Sequence, residues 1–404
     1  MMERPDFDDC SYEYRFVQDV IDKVGPRLPG SPEEREAAML IKNEMEDACD
    51  GAVSVETFTV HPKASIGFIP VLGYLLIFTG IPLGIFIPLL AIIWVGWWLF
   101  FALVQIFKYQ GWFDFMFPSR QSQNLHGILK SATRDYGTTI ILNGHLDSSW
   151  HSPLFARRPH LSRMKIIYGV AGAGGLLLIC IIKILIQKDW MIYMPTWIDL
   201  FFLLLLPGFI FIARYITWDK EKASPGAMDD LMGIAIMLWL ARAFKENPDW
   251  NPSNSRIILA AFGSEEAGLK GSEAFVKEHR QDLLAGNVHV ICVDGISDFD
   301  HFHVVTGDAW LGSSYDGKTC DLAGKAMSDA GIKHDFIKTP AGSTDGASFS
   351  RAGIKVVTLA AQDPGPASNY HTRNDTLDNI DKRAVVKMKE VLFNLVHEID
   401  GLHG

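Results

Sequence analysis

Two histidines and several carboxylates in this chain stand at positions that suit metal binding. His145 and Asp147 follow an apolar run, 139–143, that has the pattern of a buried strand. The other candidates each adjoin a predicted strand, helix or loop: Asp229, Glu265, Glu266, Asp294 and His371. Imidazole and carboxylate groups are common zinc ligands in catalytic sites. Residues of these types indicate a site for a pair of metal ions that promotes hydrolysis.

Most of these residues also have a plainer explanation. His145 and Asp147 would fit a surface turn, and Asp229 with Asp230 would fit the N-cap of a helix. Asp294 would fit a turn after a strand. In the chemical interpretation, Asp147 hydrogen-bonds the second imidazole nitrogen of His145 and thereby fixes its tautomer.

The pair Glu265 and Glu266 is harder to explain without a cation. It follows a predicted strand and opens a predicted helix. Two adjacent carboxylates beside a buried strand are unfavourable unless a positive charge compensates them. A bound metal would supply that charge, so that one carboxylate ligates while its neighbour takes a proton from water. Two solvated glutamates at a helix start remain the alternative.

The sequence outside two apolar segments predicts one α/β domain. We expect strands at 53–60, 123–129, 138–142, 256–262, 288–293 and 355–361. We expect helices at 7–24, 32–49, 229–244, 266–279 and 382–399. Strands that alternate with helices predict a mainly parallel sheet with helices on both faces.

The two apolar segments predict membrane-spanning hairpins. Residues 64–107 contain no charged side chain, and one helix of that length would reach about 66 Å, roughly twice the thickness of a bilayer core. This segment and a second one, 166–213, therefore predict four transmembrane helices. Buried helices of a soluble core are less favoured because such helices keep a polar face. The chain then divides into catalytic parts 1–63, 108–164 and 217–404, with hairpins at 64–107 and 165–216.

The distribution of Lys and Arg predicts on which side of the membrane the polar parts lie. Basic residues cluster at the outer ends of the hairpins: Lys63, Lys108, Arg157, Arg158, Arg163, Lys165, Arg214, Lys220 and Lys222. The turn of the second hairpin carries only Lys183 and Lys188. This bias predicts an integral, multi-pass protein in the lipid bilayer with a cytoplasmic catalytic domain. No cleavable signal peptide is expected, because residues 1–9 are acidic. The net charge of −10 argues against nucleic acid as a partner. Five scattered cysteines do not suggest a disulfide framework.

Taken in order, the motifs carry a family resemblance. Five stretches resemble the signatures of co-catalytic di-zinc aminopeptidases, whose relatives include glutamate carboxypeptidase and glutaminyl cyclases: 25–33, 143–147, 229–230, 264–272 and 370–381. The resemblance implies two zinc ions, or other divalent metals, and a peptide substrate. It implies that one ion is held by His145, Asp229 and Asp294, and the other by Asp229, Glu266 and His371. It also implies that Asp147 orients His145 and that Glu265 is the general base.

Some residues depart from the family pattern. Gly295 stands where relatives often carry Met, and Met232 where a small Ser is common. The stretch 343–346 replaces a Ser-Asp-His sequence in the region where substrate pockets are built, so specificity does not carry over. An aminopeptidase is therefore the preferred prediction. A carboxypeptidase, an amide deacylase or a glutaminyl cyclase is the alternative, and an inactive receptor or scaffold is an alternative of another class. The oligomeric state stays open.

Overall fold

An eight-stranded sheet forms the centre of the structure. The computed structural model describes residues 4–49, 51–129, 136–156, 161–187, 194–340, 342–363 and 369–403. In chain order the strands are β1 (Ser54–Val60), β2 (Arg120–Leu129), β3 (Thr138–His145), β4 (Ser255–Phe262), β5 (Val288–Ile296), β6 (Phe302–Asp308), β7 (His334–Thr339) and β8 (Lys355–Ala361). Their order across the sheet is β1-β2-β4-β3-β5-β8-β6-β7.

The sheet is mixed, so the expectation of a mainly parallel sheet is wrong. Strands β4, β3, β5 and β8 run parallel to one another, whereas β2 is antiparallel to both β1 and β4. Strand β6 is antiparallel to β8 and parallel to β7. The link from β5 to β6 spans only residues 297–301, too short for the crossover of a dozen or more residues that a parallel return requires. Periodicity predicts a strand but does not give its direction.

Helices cover the sheet. Outside the apolar segments they are Ser11–Lys23, Pro32–Ala48, Pro153–Ala156, Met232–Glu246, Lys270–Glu278, Arg280–Ala285, Gly317–Asp329, Gly346–Arg351 and Lys382–Asp400. Every residue of β3 is buried, as expected of a central strand that is covered on both faces. Side-chain caps define several helix starts. Ser31, for example, accepts from the backbone N–H of Glu34 and precedes Pro32 at the first helical position.

The apolar segments fold as packed helices. Among the described residues, three helical stretches are long and apolar enough to cross a membrane: Ile66–Phe86, Pro88–Phe107 and Ser162–Gln187. A fourth apolar helix, Trp197–Ala213, is shorter. Within these stretches the α-helices proper are Ile69–Leu75, Ile81–Phe86, Pro88–Phe101, Ser162–Gln187 and Phe201–Ala213. The last three of these helices share a buried cluster that includes Val95, Leu176 and Phe209, and Ile81–Phe86 packs against it. Of the basic residues used to predict orientation, Arg157, Arg158 and Lys188 lie outside the described residues.

Strand directions bring both apolar segments to one edge of the sheet. Val60 at the end of β1 pairs with Arg120 at the start of β2, so the first segment leaves and returns at one point. Strand β3 runs parallel to β4 and therefore antiparallel to β2. The end of β3 at His145 consequently lies at the same edge as Val60, and the second segment follows soon after it. This common edge is what attachment to a flat membrane requires.

One ion pair lies inside the helix cluster, and its loss should destabilise the fold. The Lys183 side chain is fully buried, and its Nζ lies 2.6 Å from an Asp199 carboxylate oxygen and 2.7 Å from the Ile85 carbonyl oxygen. Removing one partner of a buried pair costs about 3–5 kcal/mol. We expect Lys183→Met to lower the thermal unfolding midpoint of detergent-solubilised protein, and Asp199→Asn in the same chain to restore part of the loss. The exposed Lys277→Met is the control. Equal midpoints for all variants would contradict a stabilising role for the pair.

Candidate metal centre

Parallel strands bring the predicted site residues to one edge of the sheet. Strand β3 ends at His145, strand β5 carries Asp294 near its end, and Glu265 follows β4 closely. These three strands are parallel neighbours, so their carboxyl ends meet at the same edge, where ligands collect in α/β sheets. Asp229 lies in the kinked turn Ala227–Leu231, where its own backbone is not helical, directly before the helix Met232–Glu246. His371 lies in the loop after β8 and has a left-handed backbone, with φ of 51°.

Asp229 stands between the two histidines. One of its carboxylate oxygens lies 2.9 Å from His145 Nε2, and the other lies 3.1 Å from His371 Nε2. Two ligand groups result, His145 with Asp229 and Asp294, and Asp229 with Glu266 and His371, and within each the donor atoms lie within 4.8 Å of one another. Asp230 faces away from this centre and accepts the backbone N–H of His145 at 3.1 Å. Its neighbour Asp229 is therefore the member of the pair that can serve two ions.

Asp147 does more than the sequence predicts. Its carboxylate lies 3.5 Å from His145 Nδ1, and its backbone carbonyl accepts from that nitrogen at 3.1 Å. The two carboxylate oxygens also accept the backbone N–H groups of Glu265 and Glu266, at 2.9 and 3.0 Å. A single buried residue, Asp147, thus fixes the position of the His145 imidazole and of the backbone at Glu265 and Glu266.

A second buried acid supports the same turn. Glu34 accepts from the backbone N–H and the hydroxyl of Ser264, at 2.7 and 2.9 Å. Ser264 has a φ of 56°, a strained value for a residue with a side chain, and these bonds help to hold it. Burial, with a further contribution from Asp147, raises the pKa of Glu34 to about 8. Sequence reasoning missed Glu34, although it directly follows the 25–33 motif.

The centre carries more acid than its own bases neutralise. Burial raises the pKa of Glu265 well above its ordinary value, and burial together with Asp229 raises that of Asp294 to about 7. Burial also disfavours ionised Asp229, but hydrogen bonds from His145 and His371 hold its pKa below the ordinary value. Burial would lower the pKa of His371, yet Glu266 and Asp229 raise it to about 10.

The donor set fits zinc. Two imidazoles and three carboxylates, grouped around one shared aspartate, are nitrogen and oxygen donors of the type that catalytic zinc uses. Among the described residues, Glu266 Oε1 is a buried oxygen that accepts no hydrogen bond, although His371 Nε2 lies 3.1 Å away. An unsatisfied carboxylate oxygen in an acid-rich centre is the arrangement a cation would complete.

Part of the chain resembles a known peptidase family. Residues 217–396 match the family model of Peptidase family M28. Over this part of its length the chain is similar to peptidase family M28. The resemblance inferred from the sequence motifs is thereby confirmed.

The named relatives that the chain resembles are aminopeptidases. Aminopeptidase YwaD of Bacillus subtilis is 27% identical over 201 residues, which are 48% of this chain and 41% of YwaD. The chain spans less than half the length of the curated relatives it matches. A solved zinc aminopeptidase of Bacillus subtilis aligns with a TM-score of 0.59 at 16% identity, covering 98% of this chain and 96% of the other. An Acidobacteriales glutaminyl cyclase aligns with a TM-score of 0.57 at 14% identity, over 100% and 98% of the two chains.

Aromatic residues lie around the candidate metal centre. Tyr109, Tyr215 and Tyr370 line the cavity at the acid cluster, and the Phe155 ring centroid lies 6.3 Å from that of His371. None of these rings was assigned to the site from the sequence, because aromatic residues in apolar surroundings are usually core residues.

A buried arginine, Arg27, holds together the loops beside the candidate metal centre, and its removal should lower the stability of the domain. The Arg27 guanidinium donates to the carbonyl oxygens of Leu146, Gly25, Pro225 and Gly226 at 2.7–3.1 Å. Arg27→Met would leave these buried acceptors unsatisfied, at about 1–3 kcal/mol each where water cannot replace the donor. We expect a loss of at least about 3 kcal/mol in the free energy of unfolding, measured by denaturant titration.

The control for Arg27 lies on the next helix. Arg35 is exposed within Pro32–Ala48, so Arg35→Met should change the free energy of unfolding by less than about 0.5 kcal/mol. Similar unfolding curves for the two variants would show that the Arg27 hydrogen bonds are not needed for stability.

Proposed function

We propose that this protein is a membrane-integrated zinc aminopeptidase that removes N-terminal residues from peptides. The observation that carries the proposal is the position of Asp229, with one carboxylate oxygen toward His145 and the other toward His371. A shared carboxylate between two imidazole-containing ligand groups supports a site for two zinc ions. The matched family and the named aminopeptidase relatives support the reaction class.

The proposed roles follow from position. His145, Asp229 and Asp294 hold one zinc, and Asp229, Glu266 and His371 hold the other. Bound zinc would polarise the scissile carbonyl and make water more acidic. Glu265 then accepts a proton from the attacking water and delivers it to the leaving amine. Asp147 positions both His145 and Glu265 through the hydrogen bonds described above.

The raised pKa of Glu265 is compatible with this role. Its first cause is burial, and the neighbouring Glu266 adds to it. A carboxylate that gains a proton readily is a better base near neutral pH than one in bulk water. Bound cations would oppose the shift by stabilising the ionised form, so the loaded centre keeps Glu265 ionised before water attacks.

The apolar helices supply the proposed location. We propose that the hairpins 64–107 and 165–216 lie in the lipid bilayer and that the catalytic parts 1–63, 108–164 and 217–404 face the cytoplasm. The three long apolar helices support membrane insertion. The excess of Lys and Arg at the outer ends of the hairpins supports the cytoplasmic side.

The test is zinc analysis with a substrate panel. Purified protein is assayed with leucine p-nitroanilide, an N-acetylated counterpart and an N-terminal glutamine peptide, before and after chelation and after zinc return. We expect about two zinc ions per chain and cleavage of free N-termini only, with loss on chelation and recovery on return. Hydrolysis of the blocked substrate would select a deacylase or carboxypeptidase, and ring closure of glutamine would select a cyclase. Absence of both zinc and turnover would select a receptor or scaffold.

A further inference from the structure

One cavity joins the acid cluster to the apolar helices. It has a volume of about 390 Å³, within the range of roughly 300–1,000 Å³ of small-molecule sites. At one end its lining includes Asp229, Glu265, Glu266, Asp294 and His371. Residues of three apolar stretches line the rest, along with loop residues such as Ser343 and Thr344. The cavity therefore connects the candidate centre with the apolar helices.

Each apolar stretch gives one face to the cavity. The lining residues are Ile66, Ile69, Leu72 and Leu76 from the first stretch, Leu99, Ala102, Ile106 and Phe107 from the second, and Arg163, Ile166, Gly169, Val170 and Ala173 from the third. Their spacing of three or four residues places them on one side of each helix. From Ile66 to Leu76 the lining extends about 15 Å at about 1.5 Å per residue. The apolar part is thus an elongated channel between helices.

Specific contacts fix this channel to the catalytic domain. The Trp310 ring stacks on Phe107 with centroids 4.7 Å apart, and its indole N–H donates to the Ile106 carbonyl at 3.2 Å. Ser65 donates to the Ala267 carbonyl at 2.9 Å, next to the two glutamates. Because these contacts lie at the junction, a molecule that fills the channel would reach the acid cluster in a defined position.

The chemistry of the walls selects the occupant. A peptide backbone in the channel would bury most of its N–H and C=O groups against apolar side chains, which is costly. Among the wall residues given above, Arg163 at the start of the third stretch is the one with a polar side chain. An unbranched alkyl chain has no such groups and gains free energy with each methylene removed from water. The carboxylates, imidazoles and hydroxyls suit a polar group only at the acid end of the cavity.

We propose that the channel holds the alkyl chain of the substrate, so that the enzyme hydrolyses amides that carry a long lipid-like tail. This inference rests on the proposed hydrolase function. The oxygen of water bonds to the carbonyl carbon, the C–N bond breaks, and the products are a carboxylic acid and an amine that takes up the proton. With a free N-terminal residue on the acyl side, the tail belongs to the leaving amine, as in an aminoacyl alkylamide or a lipid-linked peptide.

The test is a chain-length series of leucine alkylamides, from propylamide to dodecylamide, at a fixed detergent concentration. We expect kcat/KM to rise by up to about four-fold per added methylene until the channel is filled. N-alkanoyl leucines of matched length form the second arm and report whether the tail can instead lie on the acyl side. Binding of dansyl-undecanoic acid to chelated protein, followed by fluorescence, reports tail binding without turnover.

Two leucines on one helical stretch provide matched variants. Leu99 lines the cavity, whereas Leu103, one turn further, is 51% exposed and lies outside its lining. Leu99→Trp should abolish the chain-length gain and weaken dansyl-undecanoic acid binding at least ten-fold, while leucine p-nitroanilide is cleaved within two-fold of the parent rate. Leu103→Trp should match the parent in every assay. Leu76→Trp, with Phe78→Trp as its exposed control, repeats the comparison if Leu99→Trp fails to fold.

The outcomes separate this inference from the proposed function. Cleavage of leucine p-nitroanilide with no dependence on chain length, or equal behaviour of Leu99→Trp and Leu103→Trp, would overturn the tail site and leave the aminopeptidase standing. Cleavage of the N-alkanoyl series alone would keep the tail site and overturn the aminopeptidase. Loss of turnover on every short substrate, with dansyl-undecanoic acid binding still sensitive to Leu99→Trp, would also keep the tail site and overturn the aminopeptidase.

Discussion

Glu265→Gln should reduce kcat on leucine p-nitroanilide by about a hundred- to ten-thousand-fold, the range that general acid–base catalysis contributes. The substitution keeps the size of the side chain and removes its ability to accept a proton. Glu265 belongs to neither ligand group, so zinc content should stay at the parental value. The backbone N–H that donates to Asp147 is also retained, which keeps the turn in place. Steady-state kinetics combined with zinc analysis measures both effects.

The matched control is Glu278→Gln, an exposed glutamate on the helix that follows this turn. It should retain full activity and zinc. A Glu265→Gln enzyme that turns over at the parental rate would rule out Glu265 as the base. A variant that loses zinc together with activity would instead assign Glu265 to metal binding.

Asp229→Ala should remove both zinc ions, and with them all measurable turnover. Asp229 is the member common to the two ligand groups, so its loss leaves each group with two ligands, one fewer than the three protein ligands of a typical catalytic zinc site. Loss of a supporting hydrogen bond to a ligand already costs roughly 10–100-fold in metal affinity, and loss of the ligand itself should cost more. Zinc per chain, measured after gel filtration, should fall from about two to well below one.

Comparison with single-site variants makes the result specific. Asp294→Ala and His371→Ala each affect one ligand group and should each retain about one zinc per chain. Asp321→Ala, an exposed aspartate on Gly317–Asp329, is the control and should retain two. A single zinc lost from Asp229→Ala, with the second bound at parental affinity, would mean that the carboxylate is not shared.

Residue type and position made much of the candidate centre predictable. His145 and Asp294 are polar residues at or near the ends of apolar strands, and parallel strands bring such ends together. The supporting residues were not predictable in the same way. Glu34 looks like an ordinary acid in the first turn of a helix, and only the fold brings it to Ser264, 230 positions away. Arg27 likewise meets carbonyl groups from two distant parts of the chain, Leu146 and the pair Pro225 and Gly226.

The fold was predicted least well at the edge of the sheet that β6 and β7 form. Strands β6 and β7 and the helix Gly317–Asp329 were not among the predicted elements. Strand β7 has no buried residue, so its side chains carry no strong alternation. The helix begins with a glycine and has few large apolar residues to form a stripe. The predicted helices 229–244 and 266–279 start later, at Met232 and Lys270, because the residues before them form the turns that present Asp229 and Glu265.

The attachment points of the apolar segments have a consequence for the architecture. Val60 pairs with Arg120, and Thr217 donates to the His151 carbonyl at 2.9 Å, so each segment leaves and rejoins the domain between touching residues. Insertions with adjacent ends leave the threading of the host domain unchanged. Replacing each apolar segment with a tight turn would thus give a shorter chain that keeps the sheet and loses the apolar helices. Such a chain would retain the ligand cluster and lose one wall of its cavity, which makes the apolar helices a modular addition to the α/β domain.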